Sequence, residues 1–253
     1  MGFVRASRVK GLLRLTRAVW TARRENNPNV RRDSLSALAD LIGASAGIFV
    51  HDTRFFSGGS GPLAAATPYN VEALVPGVVA IIANRSSMPL FGALMARPMQ
   101  AGQSTALSRR DCFTKSEWER NQFVDRFLRP AFFDDSLTGI KNIGAGGHVL
   151  GFNFLRERGD SAFTEEDRAL LELFTETTID LLHVATPSER WGLTRRETEI
   201  LAGIQLGNSN KDLAAAFDCS VRTIETHVAS IMRKANAPSR AKLAALAGET
   251  SFE

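Results

Sequence analysis

The sequence contains little cysteine and no long apolar run, and both shortages narrow the class of protein. Its two cysteines, Cys112 and Cys219, lack the spacing of paired zinc ligands. This usage is typical of a reducing compartment and predicts no metal site. No apolar run approaches the roughly 20 residues that cross a bilayer. The N-terminus also lacks the apolar core and cleavage site of a secretion signal. We therefore predict a cytoplasmic protein that makes no membrane contact.

Patterns that carry catalysis are also missing from the sequence. It shows no nucleophile–base pair, no phosphate-binding glycine loop and no metal-spaced cluster of His, Cys and Asp. We therefore predict that the protein is not an enzyme and has no cofactor. A hydrophobic content of 44% and a charged content of 23% are those of a globular protein. Its 253 residues suit one large domain or two smaller ones.

The positive charge is concentrated at the N-terminus. Residues 1–32 carry nine Arg and Lys residues against the single acid Glu25, whereas residues 33–188 carry more acids than bases. The overall net charge of +4 is therefore only a weak indication of nucleic-acid binding. Apolar residues recur at helical spacing over 4–24, with arginines on the other face, so this arm is predicted to be a basic amphipathic helix. The arm could contact DNA or a partner, or pack on its own domain or dimer mate.

Residues 1–183 mix helical and strand patterns. Apolar spacing and capping residues predict helices at the following places: over 4–24, around 35–42, twice within 70–96, over 115–130 and after the N-cap Thr164. Strands are predicted over 46–56, before the loop 57–62, and as a pair within 136–158 joined by the glycine turn 144–147. Phenylalanines of this region could line a pocket or fill a core. His51 and His148 could be ligands or structural groups.

Residues 190–248 are predicted to be helical throughout, after a linker at 184–189. The four helices start at caps and are, in order: Thr194 to about Leu206, Asn210 to Phe217, Ser220 to about Ala235, and Ser239 to about Ala247. A short helix, a three-residue turn and a longer helix match the helix-turn-helix design, whose second helix enters the major groove. On that helix Ile224, Val228 and Ile231 form an inward stripe, so its polar face is free to read a groove.

This C-terminal segment resembles the LuxR-type (LuxR/FixJ) DNA-binding domain over its whole length. The matching positions are Thr194, Glu197, Leu201, Gly207, Asn210, Lys211, Ala214, Ser220, Thr223, Ile224, His227, Val228, Ile231, Lys234, Ser239 and Arg240. It departs from the pattern at Ala235, where a larger apolar residue is usual, and at Asn236, where Gly is common. These departures could loosen the packing of the fourth helix.

The resemblance implies a role for individual positions. Glu225, Thr226 and Ala229 match positions that face base edges, where Glu225 would accept from a cytosine amine and Thr226 would contact a thymine methyl. Phosphate contacts are implied for a larger set: Thr194, Lys211, Ser220, Arg222, Thr223, Arg233 and Lys234. The fourth helix resembles the family's dimerisation helix, which implies a homodimer on an inverted repeat of double-stranded DNA. Alternatively, Glu225 could pair with Arg222 or Arg233 on a merely solvated face.

The segment from Val149 to Phe174, with the helix around Trp118, resembles the end of a GAF- or PAS-like domain, and the resemblance covers about 100–183 of the predicted domain 1–183. In this pattern a strand and a loop precede a helix opened by the motif from Phe163 to Asp167. Such domains hold a small molecule between an antiparallel sheet and its helices. The Trp-x-x-x-Tyr pair and Asp-Pro of acyl-homoserine-lactone domains are absent, so that ligand is not indicated. The expected fold is thus an α+β GAF/PAS-like domain, with an antiparallel sheet and flanking helices, followed by an all-α LuxR-type helix-turn-helix domain of four helices.

The resulting hypothesis is a homodimeric, sequence-specific transcription regulator. Its N-terminal sensor or dimerisation domain would tune DNA binding through a small ligand or a protein partner, and a contact with RNA polymerase is left open. The ligand site is unassigned. The alternative is a protein-interaction module whose helix-turn-helix docks a partner rather than reading DNA.

Overall fold

The computed structural model describes residues 4–52, 65–70, 89–97, 99–143, 148–183, 185–248 and 251–252. The chain divides into two compact units. The sheet unit comprises Met1–His183 with Ser251–Glu253, and the helical unit comprises Val184–Thr250. The predicted loop 57–62, the glycine turn 144–147 and the first part of the helical prediction over 70–96 lie outside the described residues. Within the described ranges, every helix is too short or too polar to cross a membrane.

One six-stranded sheet forms the centre of the sheet unit, in the order β3-β4-β5-β1-β2-β6. The strands are β1 Ala46–Asp52, β2 Ala65–Tyr69, β3 Ser104–Ser108, β4 Phe133–Asn142, β5 Val149–Glu157 and β6 Ser251–Phe252. All neighbours pair antiparallel except β2 and β6, which are parallel. An antiparallel sheet was expected, and β1, β4 and β5 fall where the sequence predicts strands, although β4 begins earlier than expected, at Phe133. Strands β2, β3 and β6 were not predicted.

Strand β5 is buried on both of its faces. Leu150, Phe152 and Phe154 belong to the largest apolar cluster of the unit. Val149 and Leu155, on the opposite face, belong to two other clusters. Because side chains alternate between the faces of a strand, this pattern requires cover on both sides of the sheet.

Within the described ranges of the sheet unit, six α-helices pack around this sheet. They are α1 Ala6–Arg24, α2 Val30–Ile42, α3 Pro89–Met95, α4 Arg109–Cys112, α5 Lys115–Glu119 and α6 Glu165–Thr178, with a 3-10 turn at Ile179–Leu182. Leu12 of α1, Leu38 of α2 and Phe174 of α6 share the largest apolar cluster with β5. The predicted cap of α6 is confirmed, since Asp167 N donates to Thr164 Oγ1 over 3.2 Å.

A buried charge network fastens α6 to the rest of the sheet unit. Asp167 lies under α1 and beside β5, where it binds Arg8 and, over 3.2 Å, Arg156 Nη2. The neighbouring Glu166 carboxylate receives hydrogen bonds from Arg5 first and then Arg8, which lower its pKa to about 2. The first turn of α1 is therefore packed on its own domain, which is one of the arrangements that the sequence left open for this arm.

The single helix predicted over 115–130 is wrong. Helix α5 ends at Glu119, and the chain continues as a π-helical turn at Val124–Leu128 and a 3-10 turn at Arg129–Ala131. Asn121 causes the break, because its side-chain oxygen accepts from the backbone N–H groups of Phe123 (2.9 Å) and Val124 (3.2 Å). When a side-chain oxygen accepts from the backbone N–H groups that follow it, those groups no longer continue the preceding helix, and a new turn begins.

In the described residues 185–248 of the helical unit, five α-helices pack around one apolar cluster. They are α7 Pro187–Arg190, α8 Arg195–Gln205, α9 Asn210–Ala216, α10 Val221–Lys234 and α11 Arg240–Gly248. Helix α7 begins inside the predicted linker 184–189 and ends one residue beyond it, and its N-cap is Thr186, whose hydroxyl accepts from Glu189 N. Thr194 and Ser220 cap α8 and α10 as the sequence predicts.

The cap of α9 is Ser209, and the prediction of Asn210 is wrong by one residue. Ser209 has the extended backbone of an N-cap and forms a capping box with Asp212. Asn210 is the first helical residue, and its side-chain oxygen accepts from Arg240 Nη1 over 2.9 Å. An Asn can cap a helix, but here Ser209 precedes it and has an acid three residues later. The backbone N–H groups of Ser209 and Asp212 are then both satisfied, each by the other residue's side chain.

Candidate nucleic-acid interface

Helices α9 and α10 are joined by a turn that fixes their relative orientation. Asp218 adopts the left-handed conformation, with φ of 48°, and Cys219 N donates to Ala214 O over 3.0 Å. Leu213 of α9 and Ile224 of α10 are buried in the same apolar cluster. The short helix thereby supports the longer one and leaves one side of α10 uncovered within this unit.

Five exposed residues of α10 form what we call the reading face, namely Arg222, Glu225, Thr226, Ala229 and Arg233. Apart from the adjacent pair Glu225 and Thr226, successive members are three or four residues apart, which places them on one side of the helix. The predicted inward stripe of Ile224, Val228 and Ile231 is confirmed, since all three residues are buried. Because the buried apolar residues and the exposed residues of α10 lie on different sides of the helix, the reading face has no packing role within this unit.

The charges of the reading face are not neutralised internally. Among the residues the structure describes, Glu225 forms no ion pair with Arg222 or Arg233, although the sequence left that pairing open. Thr226 donates its hydroxyl to Arg222 O over 3.0 Å, so its methyl group remains for an apolar contact. The face therefore offers one carboxylate, one methyl group and two guanidinium groups to a ligand.

The residues predicted to contact phosphate differ in their surroundings. Lys211 is exposed and forms no ion pair within the described part of the chain. The hydroxyls of Ser220 and Thr223 lie 2.8 Å apart, and Ser220 Oγ also accepts from Thr223 N. Thr194 Oγ1 accepts from Glu197 N. Each of these three hydroxyls lies on an exposed residue at a helix start.

Lys234 lies at the end of α10, and its ammonium group is already engaged. Its Nζ donates to Glu197 Oε2 over 2.6 Å and to Gly192 O over 3.1 Å. The Glu197 side chain is only 5% exposed, whereas that of Lys234 is 26% exposed. The pair ties the end of α10 to the start of α8, so this geometry gives Lys234 a structural role that the sequence did not indicate.

Glu197 is the residue whose role sequence analysis missed. Burial opposes its ionisation, but hydrogen bonds from Lys234, the Thr194 backbone and Ser230 outweigh burial and lower its pKa to about 2. The Thr-x-x-Glu spacing from Thr194 is the signature of a capping box and could have revealed the first of these contacts. The contacts with Lys234 and Ser230 span more than 30 residues and leave no such local signal.

Asn236 explains one departure from the LuxR-type pattern. It follows α10 with a φ of 50°, the left-handed region that favours Gly and tolerates Asn. Ala237 N donates to Met232 O over 2.9 Å to complete the helix end. Asn at this position therefore preserves the turn that leads into α11.

The two packed helices, the tight turn and the exposed reading face define a helix-turn-helix domain. Residues 192–247 match the family model described as bacterial regulatory proteins, luxR family. The helical unit is thus a luxR-type helix-turn-helix domain.

Two curated relatives are transcriptional regulatory proteins of Bacillus subtilis (strain 168). The chain is 37% identical over 65 residues to the uncharacterized transcriptional regulatory protein YhcZ, covering 26% of this chain and 30% of that protein. It is 26% identical over 157 residues to the uncharacterized transcriptional regulatory protein YvfU, covering 61% of this chain and 71% of that protein. The chain thus spans less than a third of the length of YhcZ.

Similar solved structures include two of SdiA. The crystal structure of Escherichia coli SdiA has a TM-score of 0.46 and 15% identity, over 94% of this chain and 97% of that chain. A structure of SdiA in complex with octanoyl-rac-glycerol has a TM-score of 0.42 and 15% identity, over 99% of this chain and 97% of that chain.

Proposed function

We propose that this protein is a sequence-specific DNA-binding transcription regulator that reads the major groove with α10. The reading face carries the proposal, because it lies opposite the buried stripe and its charges have no ionic partner among the residues that the structure describes. A solvated surface helix is expected to neutralise charges three or four residues apart, as Arg195 and Glu199 do on α8 over 3.2 Å. The luxR-type match of residues 192–247 supports the same conclusion.

On this proposal the reading face divides into base-reading and register-setting residues. Glu225 accepts from a cytosine N4 amine, Thr226 contacts a thymine methyl, and Ala229 permits close approach to the base edges. Arg222 and Arg233 flank these residues and bind phosphate oxygens. The remaining proposed phosphate contacts are Lys211 and the hydroxyls of Thr194, Ser220 and Thr223. Lys234 acts mainly by holding α10 against Glu197.

The regulator would act as a homodimer on an inverted repeat. Helix α11 buries Leu243 and Ala247 in its own unit and exposes Ala241, Lys242 and Ala245. Small exposed side chains permit the close approach of a second helix, which supports dimerisation through α11. Two reading helices related by a two-fold axis require half-sites about 34–36 Å apart. A regulator bound in this way would be positioned to contact RNA polymerase.

The sheet unit would supply the signal, as a GAF/PAS-like sensor or dimerisation domain. One observation supports a small ligand. On the sheet face that packs near Trp118, Asn153 Nδ2 donates to the hydroxyls of Ser136 (2.9 Å) and Thr138. These three buried polar groups lie among apolar side chains, and both hydroxyls retain a hydrogen to donate. A neutral ligand or a protein partner would tune DNA binding from this unit.

The direct test is selection of duplexes from a randomised pool by the full-length protein. We expect enrichment of an inverted repeat whose half-sites lie about one helical turn apart. Failure to enrich any sequence would favour the protein-interaction alternative. Native mass spectrometry of protein purified from its own cells then tests the rest of the proposal. A dimer with added mass supports a ligand, a clean dimer supports control by a partner protein, and a clean monomer contradicts the dimeric operator.

A further inference from the structure

The outward side of α1 combines apolar and cationic side chains. Lys10, Leu13, Arg17, Trp20 and Arg24 are all exposed and recur every three or four residues, and we call them the α1 stripe. Leu13 is 64% exposed and Trp20 is 54% exposed. The opposite side of the same helix packs on the sheet unit through Leu12 and Val19. Folding of the sheet unit therefore does not use the α1 stripe.

The cations of the α1 stripe have no acidic partners in the described part of the chain. Arg5 and Arg8, one turn earlier, pair with Glu166 and Asp167. Lys10, Arg17 and Arg24 form no ion pair there, and no acid occurs between Lys10 and Arg24 in the sequence. The first turn of α1 thus anchors the helix, and the following turns present uncompensated positive charge.

The composition of the α1 stripe is that of a protein interface. Leu13 and Trp20 supply two large apolar side chains, and the cations lie before, between and after them at Lys10, Arg17 and Arg24. Arg24 lies over the Trp20 ring, with its guanidinium carbon 6.0 Å from the ring centroid. Trp and Arg are enriched among the interface residues that contribute most to affinity.

The positive charge of the α1 stripe discriminates between the kinds of molecule that could bind it. A second copy packed on the same stripe would place Arg17 and its flanking cations against like charges, which disfavours that pairing. Duplex DNA would engage the cations but leave Leu13 and Trp20 beside phosphates. Membrane insertion of an amphipathic helix needs a broad apolar face. Here the broad apolar face of α1 is already packed on the sheet unit.

We propose that the α1 stripe is a docking surface for an acidic protein partner, which presents an apolar groove bordered by Asp or Glu side chains. Leu13 and Trp20 fill the groove, and Lys10, Arg17 and Arg24 pair with the bordering carboxylates. This docking is independent of how α10 reads DNA.

Site-specific photo-crosslinking in the cells that make the full-length protein tests this proposal. Replacement of Leu13 by p-benzoylphenylalanine places the reactive group inside the α1 stripe. The same replacement at Leu173 on α6, which is 48% exposed, provides a matched control. We expect a protein adduct from position 13 and none from position 173. The crosslinked segment of the partner should carry Asp or Glu within one helical turn of the attachment point.

Variants of the α1 stripe sharpen the test. Trp20→Ala should reduce the adduct from position 13 at least about tenfold, as expected for a central aromatic anchor. The charge reversals Arg17→Glu and Arg24→Glu together should reduce it about fivefold. Changing the bordering carboxylates of the mapped partner to lysine should then restore the adduct with the charge-reversed chain.

Four outcomes would overturn the proposal. They are adducts with a second copy or the helical unit of this chain, adducts with DNA, adducts with lipid, and a yield at position 13 no higher than at position 173. Thermal unfolding of each variant shows that the chain is folded. All substituted residues are exposed, so we expect unfolding midpoints close to that of the unmodified chain.

Discussion

Replacing Lys234 by methionine (Lys234→Met) separates a structural role from a phosphate contact. The methionine keeps most of the apolar stem and removes the ammonium group that lies 2.6 Å from Glu197. The Glu197 carboxylate would then remain buried with one ionic partner fewer. Losing one member of a buried pair costs about 3–5 kcal/mol, and the partial exposure of Lys234 reduces this to about 2–3 kcal/mol. We therefore expect the free energy of unfolding of the helical unit to fall by about 2–3 kcal/mol.

Urea unfolding of the full-length protein measures this loss. Trp191 packs against the apolar cluster of the helical unit, so a fluorine-labelled tryptophan at this position reports that unit separately. Lys211→Met is the matched control, because Lys211 is exposed and unpaired in the described residues. We expect it to change stability by less than about 0.5 kcal/mol and to reduce the slope of log affinity against log salt by about 1.

The two lysines should therefore behave in opposite ways. Lys234→Met should lower stability and leave the salt slope of the folded protein nearly unchanged. The reasoning is refuted if Lys234→Met leaves the unfolding midpoint unchanged and reduces the salt slope by about 1, as a simple phosphate contact would.

Three further perturbations test the packing and the charge networks. A Gly203→Ala side chain would collide with buried Leu213, so we expect a loss of about 1–3 kcal/mol in the same urea assay. Asp167→Asn removes the carboxylate that pairs with Arg156 and Arg8, and leaves Arg8 only its pair with Glu166, so it should destabilise the sheet unit by about 3–5 kcal/mol in thermal unfolding. The pKa of Glu197 is lowered to about 2 from 4.5, so its contribution of about 3 kcal/mol should be present above pH 4.5 and lost towards pH 2. Acid titration should show less of this loss in Lys234→Met, and equal losses would contradict the pairing.

Local signals explain which parts of the fold were predictable. The inward stripe of α10 and the caps Thr194 and Ser220 depend on neighbours within one helical turn, so periodicity and capping residues revealed them. The strand pair β4–β5 was predictable from local signals too, because its side chains alternate without interruption between the two faces of the sheet. The helix interruption at Asn121 was not evident, because the competing hydrogen bonds come from a polar residue inside an otherwise regular apolar spacing.

Long-range contacts explain what was missed in the candidate site. Lys234 and Glu197 are separated by 37 residues, and the exposed-looking end of α10 gave no sign that the lysine was engaged. The reading face itself was foreseen, because the residues left over from the buried stripe are the ones that are exposed. The sequence therefore identified the exposed face of α10, but it did not show which charged side chains form ion pairs.

The central claim is that α10 reads base sequence, and one affinity comparison tests it most directly. The full-length protein is titrated by fluorescence anisotropy, at physiological salt, against its selected duplex and a scrambled duplex of equal length. We predict that the unmodified protein binds the selected duplex about a thousandfold or more tightly than the scrambled duplex. The double substitution Glu225→Gln with Thr226→Ala should reduce this preference at least about tenfold and preserve the affinity for the scrambled duplex. Equal affinity of the unmodified protein for both duplexes would contradict the claim.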